Sequence, residues 1–152
     1  MGVERPEFFL NRPACRPARI LVANENFACG SSREGAVYAL FDYGFRAVIA
    51  PSFGDIFYNN CLKNGLLPVR LPAATVAALR SHLAAQPGSR LVVDLPAQSV
   101  IAADGAVHRF TLDAFWKEAL LRGLDEIGLT LGLEDRIAAF EERYRAERPW
   151  LP

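Results

Sequence analysis

Nine consecutive residues, Asn26-Phe27-Ala28-Cys29-Gly30-Ser31-Ser32-Arg33-Glu34, gather two hydroxyls, a thiol and a guanidinium around a glycine. They lie between two segments of different pattern. Ala18 to Ala23, with Ile20, Leu21 and Val22 in an unbroken apolar run, reads as a buried parallel strand. Ser32 to Tyr43 reads as a helix with Ala36, Val37, Leu40 and Phe41 on one face. Gly30 and Ser31 fall at the junction. A helix start leaves backbone N–H groups without intrahelical partners and carries partial positive charge. Two hydroxyls and a guanidinium added there make a site suited to a carboxylate or phosphate. A purely structural role is also open, because Ser31 followed three residues later by Glu34 matches a capping box.

The other groups with chemical potential are scattered. Cys15, Cys29 and Cys61 form an odd set with no close pair, which fits neither a disulfide framework nor a self-contained zinc or iron–sulfur site. The expectation for each is a small, buried, reduced side chain, although a thiol just before a helix N-terminus, as at Cys29, would have its pKa lowered. His82 falls in a predicted helix and His108 in a predicted strand, each without a second His or Cys at ligand spacing. The expectation is that this chain holds no metal of its own.

The elements that must position the loop follow from turn signals. Pro6 to Pro17 is irregular. Gly44 ends the first helix, and Arg46 to Ala50 is a second buried strand. After the turn Pro51-Ser52-Phe53-Gly54, Asp55 to Asn64 is a short helix, with Asp55 open to a capping or a cleft-lining role alongside Asn59 and Asn60. Leu67 to Leu71 is a third strand. Ala73 to Gln86 is an amphipathic helix with Val76, Leu79 and Leu83 inward. This alternation predicts parallel crossovers. Further on, Arg90 to Leu95, Gln98 to Ala102 and Val107 to Thr111 are three short strands, the last two joined at Asp104-Gly105. Asp113 caps a helix to Arg122, Gly128 to Leu131 is a further strand, and Leu133 to Ala146 is a terminal helix.

Composition narrows the class. The 152 residues suit a single domain over 1–152, and 51% are hydrophobic, as in soluble globular proteins. Seventeen basic residues balance seventeen acidic ones without clustering, so no field favours nucleic acid or an anionic membrane. No apolar run approaches the roughly 20 residues that cross a bilayer. There is no signal-peptide pattern. The expected setting is the cytoplasm.

Several long words resemble one family. Asn26 to Glu34, Asp-Tyr-Gly-Phe at 42–45, Ile49 to Cys61, Lys-Asn-Gly-Leu-Leu-Pro-Val at 63–69, Phe110 to Asp113 and Gly123 to Leu131 are similar to the small subunit of 3-isopropylmalate dehydratase. The likeness runs over residues 8 to 145. It implies an α/β fold, the swivelling β/β/α domain of the aconitase type with a mixed sheet and flanking helices. It implies a hydro-lyase subunit that interconverts 2- and 3-isopropylmalate in leucine biosynthesis by dehydration and rehydration. The partner would be a large subunit with a four-iron–four-sulfur cluster, and the substrate a small hydroxy-diacid. By this resemblance Ser31 is the catalytic base, acting as an alkoxide, while Ser32, Arg33 and Gly30 bind substrate. An isolated serine is too weak an acid for that role, and no His adjoins it, so backbone donors of the loop would have to hold the alkoxide.

This chain departs from the family pattern at three places. Gly35 stands where the family has His, Ala28 stands where Gly is common, and the family's opening strand with Asp-Thr-Asp has no counterpart. That shortness leaves a fragment, a misassigned start or true divergence open. Two other functions stay in view: the small subunit of a homoaconitase-like hydro-lyase, and a truncated or diverged swivelling domain without catalysis.

Overall fold

A computed structural model of the chain describes residues 5–30 and 32–150. After a 3₁₀ turn at Phe9–Asn11, the first half alternates strand and helix: β1 (Ile20–Val22), α1 (Gly35–Tyr43), β2 (Ala47–Ala50), α2 (Asp55–Lys63), β3 (Leu67–Arg70) and α3 (Ala73–Ala85). The three strands form one sheet in the order β1-β2-β3, all parallel, as the alternation predicts. The second half adds β4 (Val92–Asp94), β5 (Ser99–Ile101) and β6 (Val107–Arg109), an antiparallel sheet in sequential order. Helices α4 (Ala114–Arg122), α5 (Glu126–Leu131) and α6 (Glu134–Glu147) follow. The expected mixture of strand directions is therefore sorted into two sheets.

The unbroken apolar runs have a direct cause. Strand side chains alternate between faces, so a strand covered on both sides needs apolar residues at every position. Along β2, Ala47 and Ile49 join a core with Leu67, Val69, Val76 and Leu79 on the α3 side. Val48 and Ala50 join a second core with Val37, Phe45, Phe57, Cys61 and Leu66 on the side of α1 and α2. Val100 and Phe110 bring the antiparallel sheet into the first of these cores. Each large side chain buried this way contributes about 1.5–3 kcal/mol. The helices of the parallel layer thus have a rigid sheet to stand on, and the loops at the carboxyl ends of β1 and β2 emerge from it side by side.

Two predicted elements are corrected. Helix α1 begins at Gly35, not Ser32, and Glu34 sits at its N-cap in helical conformation with no side-chain cap bond. Glu34 instead accepts a hydrogen bond from the Tyr38 hydroxyl at 3.3 Å, and its charge pushes the Tyr38 pKa up. The Ser31 half of the expected capping box lies outside the described residues. The segment Gly128 to Leu131 is helical, within α5, and not a strand. Asp125 accepts from the Gly128 N–H at 2.7 Å, and the Thr130 hydroxyl donates to the Glu126 carbonyl at 2.9 Å. Those local bonds form without a neighbouring strand, which an extended segment would need. The Asp113 cap on α4 stands as predicted, and a left-handed Gly123 ends the helix.

Candidate functional site

The loop after β1 and the turn after β2 are fastened together beyond the ends of their strands. The Ala23 N–H donates to the Ile49 carbonyl at 2.8 Å, the last bond of the ladder. Four residues on, pairing resumes as an isolated parallel bridge between Phe27 and Phe53. The Phe27 N–H donates to the Ser52 carbonyl at 3.0 Å, and the Gly54 N–H donates to the Phe27 carbonyl at 2.9 Å. Below the bridge, the rings of Phe27, Phe53 and Phe57 lie 5.5–6.3 Å apart, Phe27 edge-on to the other two. The aromatic cluster gives the loop an apolar foot.

Two features show how tightly the loop is shaped. Asn26 and Ala28 have φ of 55° and 58°, in the left-handed region. Asn tolerates that region, whereas Ala pays for it through its Cβ. Gly54 lies so close that a Cβ on it would stand 2.8 Å from the Cys29 Cα and 3.0 Å from the Ala28 carbonyl oxygen. Only a glycine allows this backbone contact without a shift. Asn24, nearer β1, receives a hydrogen bond from the Arg80 guanidinium of α3.

Above this scaffold a cleft of about 480 Å³ opens, lined by Cys29, Gly30 and Ser32 from the first loop and by Gly54, Asp55 and Ile56 from the start of α2. It sits at the carboxyl ends of parallel strands, where open α/β sheets place their ligands. Of the residues named from the sequence, Gly30 and Ser32 line it. Arg33 is exposed and is not among the lining residues. Ser31 lies outside the described residues. Space for a Cβ at Gly30 is open, with nothing within 4 Å, so a ligand can reach its backbone.

Asp55 takes the cleft-lining role. The N-cap of α2 is Gly54, with no side-chain cap, and Asp55 occupies the first turn. Asn59 and Asn60 are not among the lining residues, and the Asn60 carbonyl accepts from the Asn64 side chain at 2.8 Å. The three cysteines differ from the common expectation. Cys61 is buried, and burial pushes its thiol up to about 12, but Cys15 is half-buried and Cys29 is exposed on the cleft wall. Among the described residues no group of three or more His, Cys, Asp or Glu is placed to hold a metal ion, and no helix is long and apolar enough to cross a membrane. Gly54 and Ile56 carry no chemical signal in the sequence. Their place in the cleft follows from contact with a loop some 25 residues earlier, which no local pattern reveals.

Comparison with known proteins places this geometry in a lineage. The 3-isopropylmalate dehydratase small subunit of Dechloromonas aromatica is 53% identical over 148 residues, which cover 97% of this chain and 70% of that protein. The small subunit of Paramagnetospirillum magneticum is 53% identical over 150 residues, covering 99% and 75%. The chain belongs to the 3-isopropylmalate dehydratase small subunit family. Family models match the chain in three stretches. The aconitase C-terminal domain matches residues 1–74, LeuD_N matches 77–114, and the C-terminal domain of the 3-isopropylmalate dehydratase small subunit matches 126–152. A crystal structure of a 3-isopropylmalate dehydratase (leuD) from Methanocaldococcus jannaschii shares the fold, with a TM-score of 0.60 at 28% identity, covering 82% of this chain and 68% of that one. The aconitase-type architecture expected from the resemblance is thus present. The cleft falls within the stretch matched by the aconitase C-terminal domain.

Proposed function

We propose that this chain is the small subunit of a 3-isopropylmalate dehydratase, which moves a hydroxyl between neighbouring carbons by removing and re-adding water in leucine biosynthesis. The observation that carries the proposal is 53% identity to two such subunits across nearly the whole chain. The partner is a large subunit, and the complex acts in the cytoplasm. A four-iron–four-sulfur cluster on that large subunit would supply a Lewis acid for the substrate hydroxyl.

The residues of this chain do the binding and the proton work. Gly30 and Ser32 present backbone and hydroxyl donors on the cleft wall. Arg33 supplies a planar, permanently charged fork for a substrate carboxylate, a geometry that Lys cannot reproduce. Ser31, as alkoxide, takes the proton from the carbon next to the one losing hydroxyl, and returns it on rehydration. The nearby loop N–H groups stabilise the charge on that oxygen.

The test is reconstitution with the large subunit and measurement of isomerisation with 2- and 3-isopropylmalate. Ser31→Ala should lower kcat by about 100- to 10,000-fold with little change in KM, as loss of a proton-transfer group does. Loss of a cap would instead cost about 1 kcal/mol of stability and leave kcat alone. A complex that prefers a longer hydroxy-tricarboxylate would point to a homoaconitase-like enzyme. A complex that assembles and turns over neither substrate would point to a non-catalytic swivelling domain.

A further inference from the structure

The bond pattern below the cleft singles out a residue that no chemical role draws attention to. Ser52 is half-buried in the turn after β2 and is not among the residues lining the cleft. Its hydroxyl accepts from the Asn26 backbone N–H at 2.7 Å and donates to the Asn26 Oδ1 at 3.2 Å. Its carbonyl accepts from the Phe27 N–H at 3.0 Å. Ser52 therefore holds two successive backbone N–H groups of the first loop, at the point where Asn26 turns left-handed. The Asn26 carbonyl in turn accepts from the Cys29 N–H at 3.2 Å, so the Ser52 contact sets the base of the turn that delivers Gly30 to the cleft.

We infer that Ser52 is a positioning residue for the substrate-carboxylate loop, holding Asn26 so that Gly30 and Ser32 face the cleft. The inference rests on the function proposed above. A side-chain hydroxyl is required for its hydrogen bonds. The hydroxyl must accept from one backbone group and donate to a side chain on the neighbouring loop, which Ser and Thr can do and Ala and Cys do poorly. The N–H of Asn26 has no partner within a strand or helix, so losing its acceptor frees the loop to move. Displacement of a binding group by about 1 Å can cost on the order of 100-fold in rate, even far from the reacting atoms.

The experiment uses the complex with the large subunit, saturated with this chain so that weakened assembly does not enter. Steady-state kinetics with 3-isopropylmalate compare Ser52→Ala, Ser52→Thr and Asn26→Gly. Ser52→Ala should lower kcat/KM by about 10- to 100-fold, with kcat falling and KM rising together, since both the carboxylate contact and the proton transfer lose alignment. Ser52→Thr, which keeps the hydroxyl, should stay within about threefold of the wild type. Asn26→Gly keeps the left-handed backbone and the N–H and loses only the Oδ1 contact, so its effect should be small. Kinetics of Ser52→Ala equal to the wild type would overturn the inference. An equal loss in the Ala and Thr variants would overturn it too, as the signature of packing and not of the hydroxyl. The same complexes carrying Ser31→Ala or Arg33→Lys separate the two layers. If those lose activity while Ser52→Ala keeps it, only the positioning role fails; if they also keep it, the loop is not the substrate site.

Discussion

The parallel layer and the C-terminal helices use apolar residues in opposite ways. From β1 to α3, the strands and helices bury Val37, Val48, Ile49, Phe57 and Val69 to 1% exposure or less. In α5 and α6 no residue is buried. There Ile127, Leu131, Phe140 and Trp150, just beyond α6, are more than half exposed, and a groove of about 520 Å³ runs along Leu133, Ile137 and Phe140. Leu133, Ile137, Phe140 and Tyr144 recur at spacings of four, three and four, which places them along one helix face. Amphipathic spacing thus reports that a face is apolar and is silent on what covers it. The parallel layer supplies its own cover; α6 does not among the described residues.

Stability measurements on the isolated chain break or sharpen this contrast most directly. Phe57→Ala removes a ring that is 1% exposed between two other rings, and should cost about 3–5 kcal/mol in chemical unfolding. Phe140→Ala removes a ring that is 53% exposed, and should change stability by no more than about 0.5 kcal/mol. Comparable losses for the two would mean that α6 is covered in the isolated chain, and the contrast would fail.

The same division explains what could be read from the sequence. Strands β1 to β3 were legible because burial on both faces leaves a continuous apolar run between turn signals, and α3 because its inward residues recur at helical spacing. The α5 segment was not, since Gly128 to Leu131 is short, holds two leucines and a β-branched threonine, and runs from one glycine to another at Gly132, as a short strand between turns does. The decision lay with Asp125, whose side chain caps the helix. In the site, Gly30 and Ser32 were legible as chemistry. Ser52 and Gly54 were visible only as a turn, because their roles depend on a loop that the fold brings alongside.

The cysteines give a second, smaller contrast, within the parallel layer itself. Cys61 is buried in the core beside α1 and α2, and burial raises its thiol to about 12. At pH 8 it is neutral as well as inaccessible, and the thiolate is the reactive form. Cys29 is exposed on the cleft wall. Native alkylation with iodoacetamide at pH 8 should therefore label Cys29 in minutes and leave Cys61 unmodified until denaturant is added. Mass mapping of the labelled peptides checks this, and early labelling of Cys61 would show that the core opens locally.

The smallest expected effect concerns the two ends of the site loop, where residue type and backbone are mismatched in opposite senses. Ala28 holds φ of 58°, a conformation that glycine reaches freely. Gly35 opens α1 with ordinary backbone angles and nothing within 4 Å of a would-be Cβ, a position that suits alanine. Left-handed alanine costs about 1–2 kcal/mol, and glycine recovers that less the greater entropy it loses on folding, about 0.5–1 kcal/mol. Gly35→Ala in a helix gains up to about 1 kcal/mol by helix propensity. Each substitution alone should raise the melting temperature by about 1–4 °C for a chain of this size. The double variant should come close to the sum if the two sites act independently, and a departure from additivity would measure their coupling. The half-buried Ala28 methyl packs at the edge of the core containing Phe53 and Phe57. If Ala28→Gly lowers the melting temperature, that packing outweighs the backbone strain, and the methyl, not the hydrogen bonds of the loop, is what fixes the turn.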